Sequence, residues 1–264
     1  MAEFLTPSQR LDSLFPFKPM NPLDKGFKVN WLAQGLIMQG KINVLFGAEK
    51  AGKSRALAWM LAHMYSETTL WGIETKSPGK TLYLAGEEPR QEVTARLLAY
   101  QKAAGIPANA VDWKNILNFC EATGMRLDKP QQRQWLKDRL ESGEYKTLLI
   151  DPLRRVHGAS ESSNDEMAPI ANDLRDWTNR YNITLFLIHH TGKLSVDDDE
   201  TRIATWSRGA SDLPAVLDWA LYARRMDGVG KGSKDKVKII RKGRGPKEED
   251  LVLLDNGDSF NVTK

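Results

Sequence analysis

Residues 47–54 read Gly-Ala-Glu-Lys-Ala-Gly-Lys-Ser, the spacing G-x-x-x-x-G-K-[ST], with an apolar run before them and a helical pattern after them. Glycines at both ends let the backbone close around an anion, and the amides opening the following helix face that anion with the positive end of the helix dipole. Phosphate is the anion such a loop suits. Lys53 is then expected to reach the β and γ phosphates of a nucleotide, and Ser54 to hold Mg²⁺ through its hydroxyl. The expected ATP-binding segment is Gly47, Ala48, Glu49, Lys50, Ala51, Gly52, Lys53 and Ser54, with Arg55 in the first helical turn.

Three other apolar runs end in groups that could serve the same chemistry. Thr147-Leu148-Leu149-Ile150 ends in Asp151, a carboxylate expected to orient Mg²⁺ through water while Ser54 binds it directly. The run 81–85 ends in Gly86-Glu87-Glu88-Pro89, where a carboxylate could polarise an attacking water. Adjacent side chains point in different directions, so one of Glu87 and Glu88 faces the γ phosphate, and the sequence does not choose between them. The run 185–188 ends in His189-His190-Thr191-Gly192-Lys193. A metal role for the histidine pair is rejected, because only His63 and His157 remain and neither completes a recognisable ligand spacing. One of the pair reads equally as a γ-phosphate sensor or as a core or capping histidine.

To bring these ends together the chain needs a sheet with parallel strands. From Trp31 onward strand and helix patterns alternate, the signature of a mostly parallel sheet with helices on its faces. Strands are expected at 42–46, 81–85, 115–119, 147–150, 184–188 and 219–224, and helices at 55–62, 91–104, 130–141 and 165–180. Further strands at 236–240, 251–254 and 259–262 follow, the last two joined by a tight turn at Asn256-Gly257. The expected class is α/β with C-terminal antiparallel hairpin strands. Residues 1–30 carry Pro7, Pro16, Pro19 and Pro22 and read as an irregular arm able to dock on a neighbouring subunit, leaving 31–264 as the ATPase domain.

The 264 residues are 41% hydrophobic, enough for a sizeable core. Cys120 is the single cysteine, which excludes a disulfide framework and reads as a small core residue. No segment approaches the ~20 apolar residues that span a bilayer, so no membrane partner is expected and the location is expected to be cytoplasmic. Net charge is +4 with a pI of about 9.0, a mild bias that permits a nucleic-acid partner. Arg154, Arg155 and His157 follow Asp151 directly, where basic residues could grip a single strand, and residues 231–247 hold a second basic cluster.

Taken in order, Trp31 with Gly35-Leu36-Ile37, the phosphate loop, Gly86-Glu87-Glu88-Pro89, Asp151-Pro152-Leu153-Arg154-Arg155, His189-His190 and Ser207-Arg208-Gly209-Ala210-Ser211 resemble the RepA-type plasmid replicative helicases, members of the RecA-like ATPases. The resemblance covers roughly residues 30–245 and implies a RecA-like P-loop NTPase core with hexameric relatives. It implies Glu87 as the catalytic glutamate, His190 as the phosphate sensor and Arg208 as an arginine acting at a subunit interface. Lys242-Gly243-Arg244 resembles the K-x-R element with which DnaB-type helicases reach a neighbour's nucleotide. By the same resemblance Arg154, Arg155 and Lys193 lie on loops facing a central DNA channel. The loop 191–206 departs from the pattern, with Asp197, Asp198, Asp199 and Glu200 beside only Lys193 and Arg202. No primase or zinc-binding segment is present in these residues, so primer synthesis would need a separate primase or initiator.

The leading expectation is an ATP-driven ring, a homohexamer, translocating on single-stranded DNA as the replicative helicase of a phage, plasmid or related element. A recombination or annealing mediator with ATPase activity uses the same motifs. A nucleotide-gated scaffold is the third reading.

Overall fold

A computed structural model describes residues 29–191, 212–226 and 235–263. Residues 1–28, 192–211, 227–234 and 264 lie outside the described residues, and with them most of the expected 1–30 arm, Lys193 and Arg208. Two short strands, β1 (Trp31–Ala33) and β2 (Ile37–Met38), pair antiparallel as a small hairpin that the sequence pattern does not announce. Then β3 (Ile42–Gly47) enters the phosphate loop, and α1 (Lys53–Tyr65) leaves it. The chain continues through β4 (Thr81–Ala85), α2 (Arg90–Ala103), α3 (Trp113–Ile116), β5 (Leu117–Glu121), α4 (Pro130–Glu141) and β6 (Thr147–Asp151). After a 3-10 turn at Leu153–Val156 come α5 (Asn164–Tyr181), β7 (Thr184–His190), α6 (Asp212–Val216), β8 (Trp219–Arg225), β9 (Asp235–Gly243), β10 (Leu251–Asp255) and β11 (Phe260–Val262).

Nine strands form one sheet in the order β11-β10-β9-β8-β3-β7-β6-β4-β5. All pairings from β8 to β5 are parallel, while β8 with β9, β9 with β10 and β10 with β11 are antiparallel. The expected mostly parallel sheet with antiparallel C-terminal strands is therefore the fold. Because side chains alternate across a strand, β3 sends Ile42, Val44 and Phe46 into the core on one face and Leu45 into the core on the other. Helix α1 covers the Leu45 face, burying Leu57, Met60 and Leu61, and α5 covers the opposite face with Met167, Ile170, Leu174 and Trp177.

Several sequence-based expectations change, two boundaries and one burial among them. Asp112 accepts backbone hydrogen bonds from Asn115 and Ile116, and its carboxylate accepts one from the Asn115 amide, so residues 113–116 wind into α3 and the strand expected at 115–119 begins at Leu117. Strand β9 runs longer than 236–240 because it pairs along the whole of β8, from Trp219 opposite Gly243 to Arg225 opposite Val237. Cys120 is half-buried, not a core residue, since β5 is the sheet's outer strand and is covered on fewer sides. Among the described residues no helix is long and apolar enough to cross a membrane.

One polar residue inside β3 is structural. Asn43 is fully buried; its side-chain oxygen accepts from the Met38 amide at 2.7 Å, and its amide donates to the Met38, Lys41 and Leu185 carbonyls. It ties the β1–β2 hairpin to the strand that leads into the phosphate loop. Asn43→Ala strips the buried Met38 amide of this partner, so chemical denaturation should show a loss of about 2 kcal/mol or more.

Candidate nucleotide site

The carboxyl ends of β3, β4, β6 and β7 meet at one edge of the sheet, and the chain leaves β3 for strands on one side and returns to β8 on the other. Such a switch point is where open α/β sheets bind ligands. The phosphate loop occupies this edge. Gly47 must lack a side chain, because a Cβ there would lie 2.7 Å from the Ala223 carbonyl of the adjoining strand. Lys53 is buried, 5% exposed, with Nζ donating to the Gly47 and Ala48 carbonyls at 2.9 and 2.8 Å. Burial lowers its pKa to about 8, against the opposing pull of Asp151, Glu87 and Glu49. An ammonium paying that desolvation is poised for a strongly anionic partner.

Strand β7 lies between β3 and β6, so its end stands between the phosphate loop and the acid of β6. Alternation along β7 separates the histidine pair. His189 turns into the core, 3.6 Å from the Glu161 carboxylate, while His190 Nδ1 sits 3.2 Å from Lys53 Nζ. An ammonium can only donate, so Nδ1 is the acceptor and the ring proton is on Nε2. The two-residue period would have distinguished the two histidines from sequence.

Asp151 is 7% exposed and accepts from Ser54 Oγ at 3.3 Å and from the Tyr83 hydroxyl at 3.0 Å. Its pKa is pushed up to about 6 chiefly by burial. Ser54 and Asp151 therefore converge as the sequence expects, and a hydroxyl beside a buried carboxylate suits a hard cation with oxygen ligands. Among the described residues no three His, Cys, Asp or Glu side chains cluster as a metal site. A magnesium ion held by Ser54 and Asp151 would thus take its remaining ligands from phosphate and water, the usual habit of that ion.

The glutamates are separated by their partners. Glu88 is gripped by Arg96 through two parallel hydrogen bonds of 2.6 Å, and Arg96 stands on the inward face of α2 with Val93, Leu97 and Tyr100. Glu87 is 2.7 Å from Arg155 Nε, and both glutamates border the cleft of Lys53, Asp151 and His190, so it is the partner of each that tells them apart. Sequence reasoning missed Arg96 and Tyr83. Arg96 carried a signal, a cation at the i+3 position of an otherwise apolar helical face.

Arg55 does not turn toward the phosphates. Its guanidinium makes a bidentate pair with Asp255 at 2.6 and 3.0 Å and also bonds the Gly257 carbonyl and the Tyr100 hydroxyl. The Asn256-Gly257 turn is thereby fastened against the start of α1, a contact no spacing in the sequence indicates. Lys50 meets the same region, its carbonyl accepting from Arg225. Lys242 and Arg244 are at the opposite, amino edge of the sheet: Lys242 pairs with Ala220 at the start of β8, and Arg244 donates to the Ala215 carbonyl, 3.8 Å from Asp218. They are not brought to this chain's own phosphate loop. Arg154 and Arg155 are exposed on the 3-10 turn after Asp151, while Lys193 and Arg208 lie outside the described residues.

A family model described as AAA domain matches residues 24–196, more than half of the chain and all of the strand ends that form this site. No curated protein matches.

Proposed function

We propose, from the premise that this chain belongs to the AAA domain family, that it is an ATP-driven, ring-forming motor translocating on single-stranded DNA. The observation that carries the reading is the meeting, at one sheet edge, of a phosphate loop, a hydroxyl–carboxylate pair, a histidine and a glutamate that is itself paired to a basic loop. Within this reading Lys53 and the loop amides hold the phosphates of ATP. Ser54 and Asp151 would hold Mg²⁺, which supplies charge neutralisation at the β and γ phosphates. Glu87 takes the role of polarising water, and the Nε2 proton of His190 faces the anion as the sensor. Glu88, locked by Arg96, positions the start of α2.

Assembly as a homohexamer is part of the proposal. The exposure of Arg244 at the edge away from its own phosphate loop supports a role at a neighbour's site, where a cation supplied in trans stabilises the transferring phosphate. Arg208 and Lys242 would join it there, and the arm 1–30 would dock on an adjoining subunit of the 31–264 domain. Arg154, Arg155 and Lys193 would contact the strand. A replicative role in a phage, plasmid or related element, served by a separate primase or initiator, follows as the helicase form of this proposal.

Unwinding is the test. With ATP and Mg²⁺ the full chain should separate a forked duplex in one direction. Annealing or strand exchange without unwinding would favour the mediator, and ATP hydrolysis indifferent to DNA would favour the nucleotide-gated scaffold.

A further inference from the structure

Beyond the phosphate loop, a second recess of about 230 Å³ opens at the carboxyl ends of β5 and β6. Its lining is basic: Arg126 from the loop after β5, and Arg154 and Arg155 from the turn after β6, with Thr123, Gly124 and His157 between them. The two loops are stapled together. The Leu127 amide donates to the Val156 carbonyl at 2.7 Å, and the Gly158 amide donates to the Asp128 carboxylate at 2.6 Å. Asp128 is thus engaged by backbone, and three arginines line a space that fits one phosphodiester group, Arg126 and Arg154 each steadied by one bond to a backbone carbonyl, those of Met125 and His157.

His157 is 1% exposed and lines the recess beside the Ala159 backbone, walling its floor. One further observation shapes the recess: Gly86, whose missing side chain permits the close approach of Arg155, since a Cβ at Gly86 would collide with Cβ of Arg155. That approach is what brings Arg155 Nε to 2.7 Å from Glu87. Arg155 therefore stands between the Glu87 carboxylate on one side and the basic recess on the other, and lines both that recess and the hollow beside Glu49, Glu87 and His190.

Resting on the single-strand reading above, we propose that Arg126, Arg154 and Arg155 form a cradle for one backbone phosphate of the strand, and that its occupation draws Arg155 away from Glu87. Arg126 is then a strand-binding residue, and Arg155 a positioning residue for Glu87. With the strand absent, Arg155 holds the carboxylate. With a phosphate bound beside Arg126 and Arg154, the Arg155 guanidinium is shared with a second anion, its hold on Glu87 loosens, and Glu87 is released to face water at the γ phosphate. The side chains of this pair are 61% and 39% exposed, so the restraint is mild, and its release accounts for an acceleration of about fivefold, the limit set by a solvent-exposed ion pair.

The experiment uses the full chain, ATP, Mg²⁺ and a fluorescein-labelled oligo-dT, and follows anisotropy and steady-state hydrolysis together. Arg126→Ala is expected to bind oligo-dT about tenfold more weakly and to flatten the slope of log affinity against log salt by about 0.7, as for one lost phosphate contact. Arg155→Ala is expected to hydrolyse ATP about fivefold faster than wild type without DNA and to gain correspondingly less when oligo-dT is added. Arg155→Lys, which returns a cation opposite Glu87, should restore most of the repression. Unaltered binding and salt slope in Arg126→Ala, or a strand-free rate in Arg155→Ala no higher than wild type, overturns the proposal while the single-strand reading stands if wild type responds to oligo-dT. A wild-type protein that neither binds oligo-dT nor changes its turnover with it overturns both.

Discussion

Lys53→Ala should lower kcat/KM for ATP hydrolysis by about 10²- to 10³-fold or more, the scale expected when a preorganised charge aimed at developing phosphate charge is removed. The geometry makes this a loss of chemistry and not of fold. Nζ is held by the Gly47 and Ala48 carbonyls and by His190, so the ammonium is fixed in the loop before any nucleotide arrives. It pays for that placement in desolvation, which is why its pKa falls to about 8, and removing a buried cation relieves the penalty. Circular dichroism and thermal melting of Lys53→Ala should therefore resemble wild type. A variant that retains wild-type turnover would remove the site from residues 47–54 altogether.

Glu87→Gln should slow kcat by about 10²- to 10⁴-fold while nucleotide still binds, because the amide keeps the shape of the side chain but cannot polarise water as a carboxylate does. Fluorescent nucleotide binding measured beside single-turnover hydrolysis separates the two effects. Glu88→Gln should behave differently. It breaks a bidentate pair with Arg96 that fixes the entry to α2, so its effect is expected in nucleotide affinity and melting temperature as well as in rate. If Glu88→Gln traps nucleotide and Glu87→Gln hydrolyses normally, the two roles are exchanged.

Much of this site was legible in the sequence because its residues sit at the ends of apolar runs. Asp151, Glu87 and His190 each follow four or more residues that read as buried strand, and parallel strands carry such ends to one edge. The phosphate loop was legible from spacing alone. What could not be read was pairing between distant segments. Nothing in the local pattern shows that Arg55 would be claimed by Asp255, two hundred positions away, or that Tyr83 would hydrogen-bond Asp151. The choice between Glu87 and Glu88 rests on their arginine partners, Arg155 and Arg96, which lie on different elements. The boundary at α3 was misread because a local Asp112–Asn115 contact outweighed the strand preference of the residues after it. Arg126 carried no signal of its own, since its place beside Arg154 depends on the Leu127–Val156 hydrogen bond between two loops.

The central claim, that this AAA domain protein couples ATP hydrolysis to a single strand, is tested most directly by Mg²⁺-dependent phosphate release from the full chain titrated with oligo-dT. The account predicts measurable hydrolysis without DNA, a saturable rise of about fivefold or more as the strand binds, and a strand concentration for half-maximal effect that climbs steeply with salt. Hydrolysis that stays flat from no DNA to saturating oligo-dT at low salt would contradict it.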